Sequence, residues 1–460
     1  MTQPSFSRQV FKAYDIRGTV PDQLNTDFSY HLGLAIAQQA RKSGIKSFVI
    51  GYDGRLSSNE LSQALHNGLL EGGINTVDLG AVPTPCVYFA ASNEEDASGI
   101  VITGSHNPEN YNGFKIMMRG KTLYGDDIQE LASIMRNLEL TDGINPGTPS
   151  KKDIIEDYID NIKNIIKPSR PMRIAIDCGN GIGGLVAPIL YEALGCEVEK
   201  LYCEIDGNFP NHHPDPADPN NLIPLIQYIN NSNCELGLAF DGDADRLGVV
   251  TKSGNIIWPD RQLILFARDI LARAPDSSII FDVKCSRHVA SEIQKLGGTS
   301  IMWKTGHSLI KAKMAETGAL LAGEMSGHIF FKDRWLGFDD GLYAGARLLE
   351  LLSVYDNPSE HLDALPQDIS TPEIKLEIEN SHSIVEKLKI EGRFPFATKL
   401  ITIDGVRAEY KDGFGLARAS NTTPVIVLRF EATSKEHLDY IRNHFKKEIE
   451  RISGEENLAF

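Results

Sequence analysis

The chain of 460 residues lacks any apolar run near the roughly 18 residues that a membrane-spanning helix requires. It also lacks an excess of positive charge. Asp and Glu outnumber Lys and Arg by 62 to 46, for a formal charge of −16, which argues against nucleic acid or an anionic lipid surface as a partner. Cysteine is sparse, with six residues at 86, 178, 196, 203, 234 and 285 and no C-x-x-C spacing. That pattern is best explained by buried free thiols in a reducing cytoplasm. The first 25 residues carry Arg8, Lys12, Asp15 and Arg17 without an apolar stretch, so no export signal is expected. What is present, 42% hydrophobic and 23% charged residues, is the composition of a soluble globular chain. Its length gives roughly three or four domains. A negative chain that binds a negative ligand must gather its cations locally.

One pattern occurs three times. Apolar strands end in an acid at Phe48-Val49-Ile50 before Asp53, at Ile174-Ala175-Ile176 before Asp177, and at Ile279-Ile280-Phe281 before Asp282. Each is followed by a helical pattern that stops at glycine, over 58–72, 184–195 and 287–297, and then by another apolar strand at 76–79, 198–201 and 300–303. Strand, helix and strand repeated in this way predict three copies of one α/β unit. Residues 367–460 read differently, with strands at 373–378, 401–406 and 425–430, a helix from Ser383 and a final helix over 435–452, a small α+β domain. Breaks in composition at 141–152, 253–259 and 357–372, with an amphipathic helix at 154–166 after the first, divide the chain into 1–150, 151–255, 256–366 and 367–460.

In each copy an apolar run, a polar loop and a second apolar run come next, and the unusual residues fall in that loop. Copy one gives Thr103-Gly104-Ser105-His106-Asn107-Pro108 between strands. Gly104 is free to take positive φ and Pro108 forbids a helix, so Ser105 is expected on a tight, displayed turn, as a nucleophile or as an ordinary hairpin serine. Copy two gives Asp241-Gly242-Asp243-Ala244-Asp245-Arg246. Alternate residues of an extended segment face one way, so three carboxylates converge and call for a cation, with all-oxygen ligation suited to Mg²⁺. An EF-hand is not favoured, because Arg246 and Lys252 stand where its Gly and bidentate Glu belong. Copy three gives Gly323-Glu324-Met325-Ser326-Gly327-His328, whose carboxylate and hydroxyl suit a sugar diol, or a helix cap. The last domain offers Arg418-Ala419-Ser420-Asn421-Thr422-Thr423-Pro424, a guanidinium, hydroxyls, an amide and turn N–H groups fit for a phosphate dianion, or a plain hairpin turn. Lys12, Arg17, Lys115, Lys284, His307 and His328 add donors beside these loops. Three equivalent loops suggest one shared cleft, as at the strand ends of other α/β sheets.

T-G-S-H-N-P with G-F-K, D-G-D-A-D-R, G-E-M-S-G-H and R-A-S-N-T-T-P, in this order over the whole chain, resemble the four signature loops of the α-D-phosphohexomutase family. The opening Phe11-Lys12-Ala13-Tyr14-Asp15-Ile16-Arg17-Gly18 resembles the mannose/glucose branch, as does Met325. The resemblance implies three related α/β domains plus a C-terminal α+β (TBP-like) domain around a central cleft. It implies reversible phosphoryl transfer between the 1 and 6 positions of glucose and mannose phosphates, through a phosphoserine at Ser105 and a hexose 1,6-bisphosphate that also serves as activator. Mg²⁺ would be held by Asp241, Asp243, Asp245 and the Ser105 phosphate. Arg17, His106, Lys115, Arg246 and His328 would surround the transferring group. Tyr14, Lys284, His307, Glu324 and Ser326 would meet the sugar, and Arg418, Ser420, Asn421 and Thr422 its own phosphate. The intermediate must turn round, so a last domain hinged to the rest is expected. A cytoplasmic monomer with hexose phosphates as its only partners completes the expectation. Alternatives are a phosphoglucosamine mutase or a Mg-dependent sugar phosphatase using Asp241 as nucleophile. A serine hydrolase is not supported, since Thr103 to Asn107 is no G-x-S-x-G.

Overall fold

In a computed structural model, residues 6–138, 143–420 and 424–460 are described, and they form two compact units. The first comprises the described residues within 1–259, 307–316 and 326–364, and the second those within 260–306, 317–325 and 365–460.

The first unit contains two sheets. In one, the strands run in the order Ile16–Thr19, Tyr111–Met118, Gly99–Ile102, Ser47–Tyr52, Asn75–Ala81 and Pro149–Lys151, with Lys121–Thr122 beside Tyr111–Met118. Ser47–Tyr52 lies parallel to both Gly99–Ile102 and Asn75–Ala81, whereas Tyr111–Met118 returns antiparallel. The strand Gly99–Ile102 is buried along its whole length, which is why it reads as an unbroken apolar run instead of an alternating one. Helices Thr26–Lys42 and Ser58–Glu71 pack over this sheet around Leu32, Ile36, Leu61, Leu65 and Leu69. Residues 141–152, expected as a linker, end in the edge strand Pro149–Lys151 paired with Asn75–Ala81. Polar composition marked the edge of a sheet there, since an edge strand has one side open to water.

The second sheet runs Ile256–Ile257, Leu247–Thr251, Leu236–Phe240, Arg173–Asp177, Glu197–Leu201. It repeats the first pattern, a parallel set closed by one antiparallel strand after the loop. Asp340, N-cap of the helix Gly341–Leu352, accepts hydrogen bonds from Tyr343 N at 2.8 Å, Tyr158 Oη at 2.9 Å and Trp335 Nε1 at 3.1 Å. Tyr343 in turn stacks on Trp335 at 4.4 Å.

In the second unit, strands Thr299–Trp303, Ser278–Asp282 and Leu321–Gly323 are parallel, with Ser278–Asp282 in the middle. Residues 365–460 form an antiparallel sheet in the order Ile369–Ser370, Val425–Ala432, Gly413–Ala419, Val406–Tyr410, Lys399–Ile401, packed by helices Ser381–Glu391 and Lys435–Ser453. The expected strand at 401–406 is instead the turn between Lys399–Ile401 and Val406–Tyr410, where Gly405 takes φ 78°. This sheet packs on residues 260–306 of the same unit. Phe414 and Leu416 share a core with Val283 and Met302, and the fully buried Arg407 donates to Val283 O at 2.7 Å and Cys285 O at 2.6 Å.

Candidate active site

The serine loop joins strands Gly99–Ile102 and Tyr111–Met118. Its left-handed residue is Ser105 itself, at φ 48°, and not Gly104. Gly104 is required for space: a Cβ there would lie 2.4 Å from the Arg55 guanidinium carbon. That guanidinium, 3% exposed, donates to the carbonyls of Ser105 (2.8 Å), Asn107 (2.6 Å), Pro108 (2.5 Å) and Tyr111 (3.0 Å). Asp53 accepts from Thr103 Oγ1 at 2.7 Å and Gly104 N at 3.0 Å, and lies 3.3 Å from Arg55 Nε. A strained turn of this kind persists only when its surroundings over-determine it, and Arg55 and Asp53 do so. Ser105 is buried, at 2% exposure, and not displayed as the loop alone predicted. A second loop covers it, and a Cβ on Gly242 would sit 2.3 Å from the Ser105 carbonyl oxygen.

That second loop brings Asp241, Asp243 and Asp245 together with ligand atoms within 4.8 Å of one another. The convergence comes from a turn with Ala244 at φ 61°, not from an extended segment. Ser105 Oγ donates to Asp241 Oδ2 at 2.9 Å and lies 3.1 Å from His106 Nδ1. Lys115 Nζ, from the strand leaving the serine loop, donates to Asp243 Oδ2 at 2.7 Å and Asp245 Oδ2 at 2.5 Å. Thr84 Oγ1 adds a bond to Asp243 Oδ2 at 2.6 Å. Burial and the neighbouring charges of Asp243 and Asp245 push the Asp241 carboxyl well above its usual range. Burial pushes Asp243 the same way, but Lys115 and Thr84 outweigh it and hold that carboxyl low. Asp243 Oδ1 and Asp245 Oδ1 are buried without a hydrogen-bond partner among the described residues. Hard oxygen donors, orphaned and clustered under a like-charge load, fit a divalent cation such as Mg²⁺.

Cations surround the pair of loops. Arg246 N donates to Asp241 Oδ1 at 3.2 Å and its Nε to His328 Nε2 at 3.1 Å. Burial, then Arg246 and Arg17, depress the His106 pKa well below the usual value. Arg17 pairs with Asp15 at 2.6 Å. His307 stands edge-on to Tyr14, ring centres 5.5 Å apart, and stacks on His328 at 5.7 Å. Ser326 is half-buried.

The remaining predicted residues lie in the second unit. Glu324 Oε1 accepts from Gly306 N at 2.5 Å. Lys284 Nζ donates to Glu373 Oε2 at 2.9 Å, and Arg418, at the end of the strand Gly413–Ala419, donates from Nε to Asp404 Oδ2 at 2.9 Å. Lys284 and Arg418 are near enough to repel, while Lys284 ahead of Lys375 and Arg418 overcomes burial to hold the Glu373 carboxyl down at about 2. Ser420 N donates to Val425 O at 3.0 Å. Asn421 and Thr422 lie outside the described residues. Sequence reasoning missed Arg55, Thr84, Lys311, Asp339, Glu373 and Asp404. Arg55 alone had a local signal, the Asp53-Gly54-Arg55 turn after an apolar strand.

Among known proteins, the family models described as phosphoglucomutase/phosphomannomutase alpha/beta/alpha domains I, II and III match residues 8–142, 156–254 and 258–369, and the model of the C-terminal domain matches 373–448. The chain is 56% identical to a phosphoglucomutase of Neisseria gonorrhoeae, over 97% of this chain and 98% of that one. It is 50% identical to a phosphomannomutase/phosphoglucomutase of Pseudomonas aeruginosa, over 98% and 97% of the two chains. A solved structure of a phosphoglucomutase/phosphomannomutase family protein from Burkholderia thailandensis superposes with a TM-score of 0.95 at 50% identity, covering 99% of this chain and 100% of that one.

Proposed function

The chain belongs to the phosphoglucomutase/phosphomannomutase family, and from that membership we propose that it interconverts the 1- and 6-phosphates of glucose and mannose. The observation that carries the reading is the meeting of Ser105 with the aspartate loop, at 2.9 Å from Asp241 and beside Lys115. A buried serine facing three carboxylates could meet an anionic phosphate only where cations offset those carboxylates. It makes sense as the carrier of a phosphoryl group balanced by cations. Asp241, Asp243 and Asp245 would hold Mg²⁺, which when bound supplies charge neutralisation at a phosphoryl oxygen.

The chain's own residues divide the remaining work. Arg55 and Asp53 hold the turn so that the Ser105 oxygen faces the aspartates. Lys115, Arg246 and Arg17 balance the charge of the transferring group, which asks for positioning more than for covalent novelty. Lys284, Glu324, His307, Tyr14 and Ser326 would bind the sugar hydroxyls. Arg418, Ser420, Asn421 and Thr422 would bind the phosphate that is not reacting. Phospho-Ser105 would give its phosphoryl group to the free hydroxyl, and the hexose 1,6-bisphosphate would return the other one to the serine. Glucose and mannose differ only at C2, so a carboxylate and a hydroxyl reading the far hydroxyls would accept both. A phosphoglucosamine mutase or a sugar phosphatase is not favoured, given relatives that share half their residues and are named phosphomannomutase/phosphoglucomutase. No described helix is long and apolar enough to cross a membrane, and all six cysteines are free thiols, which supports action in the cytoplasm; we take the monomer as the working unit. Phosphorus NMR of the protein with glucose 1-phosphate or mannose 1-phosphate, Mg²⁺ and a trace of the 1,6-bisphosphate tests the reading. Conversion to the 6-phosphate is expected, and release of inorganic phosphate instead would replace the mutase with a phosphatase.

A further inference from the structure

In the second unit three parallel strands end on the same edge, and the residues that leave them are joined. Asp282 closes the central strand Ser278–Asp282, Thr305 and Gly306 follow Thr299–Trp303, and Glu324 follows Leu321–Gly323. Asp282 is fully buried; its Oδ2 accepts from Thr305 Oγ1 at 2.8 Å and its Oδ1 from Met325 N at 3.2 Å. The chain then turns through Gly306 at φ 137°, a conformation that any side chain would strain. Two carboxylates from different parts of the unit take the N–H groups of this turn. Gly306 N donates to Glu324 Oε1 at 2.5 Å, and Thr305 N to Asp404 Oδ2 at 3.0 Å. The same Asp404 oxygen accepts from Arg418 Nε at 2.9 Å. Asp404 belongs to the turn before Val406–Tyr410, which lies against the Arg418 backbone: a Cβ on Gly405 would come within 2.3 Å of the Ala417 carbonyl oxygen and 2.6 Å of Arg418 Cα. Its neighbour Ile403 packs on the core of Val283, Phe414 and Leu416.

One line of hydrogen bonds therefore runs from Arg418 through Asp404 and the Thr305-Gly306 peptide to Glu324, with Asp282 beneath the turn. We propose that Asp404 is a positioning residue that, with Asp282, fixes the span between the Arg418 guanidinium and the Glu324 carboxylate. The second unit then selects a phosphate monoester whose hydroxyls stand at one distance from its phosphorus. This rests on the reading of Arg418 as the phosphate contact and Glu324 as the hydroxyl contact. A planar guanidinium held at Nε cannot rotate out of register, and a site held in register before the ligand arrives loses less conformational freedom on binding. Phosphate without hydroxyls, or a sugar without phosphate, engages one end and gains nothing from the span. An ion pair serving only the local antiparallel sheet would need Arg418 and Asp404 alone. The bond from Thr305 N carries the pair across to the loop that holds Glu324.

Calorimetric titration of the full-length Ser105→Ala protein with glucose 1-phosphate measures binding without turnover. In that background Asp404→Ala should raise Kd about 10-fold or more, and Asp404→Asn, which keeps an oxygen for the Thr305 N–H, by less. Glu324→Gln should raise Kd as well. The double variant Asp404→Ala/Glu324→Gln should bind at least about threefold more tightly than the product of the two single losses, because contacts joined by one hydrogen-bond line are not independent. With Ser105 intact, Asp404→Asn should raise KM for glucose 1-phosphate while kcat changes by less than about threefold. Single losses that simply multiply overturn the proposal, since Asp404 would then serve Arg418 alone. A folded Asp404→Ala or Asp404→Asn with unchanged Kd overturns it too. Should Asp404→Ala fail to fold, the nearly isosteric Asp404→Asn carries the same cycle. A wild type that binds glucose 1-phosphate without interconverting it sinks the mutase reading alone, because the cycle reads only binding. A protein that binds no sugar phosphate sinks both.

Discussion

Ser105 Oγ and Asp241 Oδ2 form a hydrogen bond of 2.9 Å although 136 positions separate them in the chain. The bond ties the loop after one sheet to the equivalent loop after the next, and the expected behaviour of the protein depends on it. Replacing Ser105 with Ala removes the phosphoryl acceptor while leaving the aspartates in place. Turnover measured by phosphorus NMR should fall at least about a thousandfold; near wild-type conversion would remove the serine from the chemistry.

Arg55 binds four carbonyls of the serine loop at once. Lysine keeps the charge but, as a point donor with three protons, cannot reproduce the planar fork. Arg55→Lys should lower kcat by about 10- to 100-fold with little change in KM, the mark of a misplaced reacting group. Chemical denaturation should show a loss of about 2–4 kcal/mol, from unpaired buried groups. An unchanged kcat would mean that the turn holds itself.

The aspartate loop carries its own cost before any cation binds. Burial and two neighbouring carboxylates push the Asp241 pKa up, so Asp241→Asn should stabilise the metal-free protein. Mg²⁺ at a hundred times its dissociation constant should stabilise the wild type by about 2.7 kcal/mol, and this gain should shrink sharply in the variant. Equal responses of wild type and variant to Mg²⁺ in thermal melts would place the cation elsewhere.

Asp340 supplies a pH dependence of stability. Burial, opposed by its bonds from Tyr343, Tyr158 and Trp335, raises its carboxyl to about 7, against about 3.9 in the unfolded chain. Between those values the folded state binds the extra proton, so this group makes stability fall as pH rises from about 4 to about 7, by at most about 4 kcal/mol. Asp340→Asn should flatten that slope, whatever it does to absolute stability by meeting the Trp335 N–H with an amide. Denaturation midpoints across the window, identical in slope for both proteins, would show that Asp340 is ionised throughout.

Arg418 tests the other end of the substrate. If it grips the phosphate that does not react, Arg418→Ala should raise KM by about tenfold or more with a smaller effect on kcat. An unchanged KM in steady-state kinetics would take it out of that role.

The sequence by itself determined the parts that are written locally. Apolar runs such as Ile100 to Ile102 specify strands because their own side chains must be buried on both faces. The T-G-S-H-N-P and D-G-D-A-D-R loops announce their chemistry because reactive groups and turn residues occur within six positions. Tertiary structure decided what lies between distant segments. Nothing local to Ser105 says that it is buried or left-handed, because both follow from Gly242 and Arg55 closing over it. Nothing local to Lys311 or Asp339 distinguishes them from surface charges, because their pairing is made by the fold across a sequence separation of 28 positions. Local sterics and hydrophobic periodicity act over a few residues and can be read in order along the chain. Electrostatic partnership in a buried site depends on three-dimensional distance, and only the folded chain sets that distance.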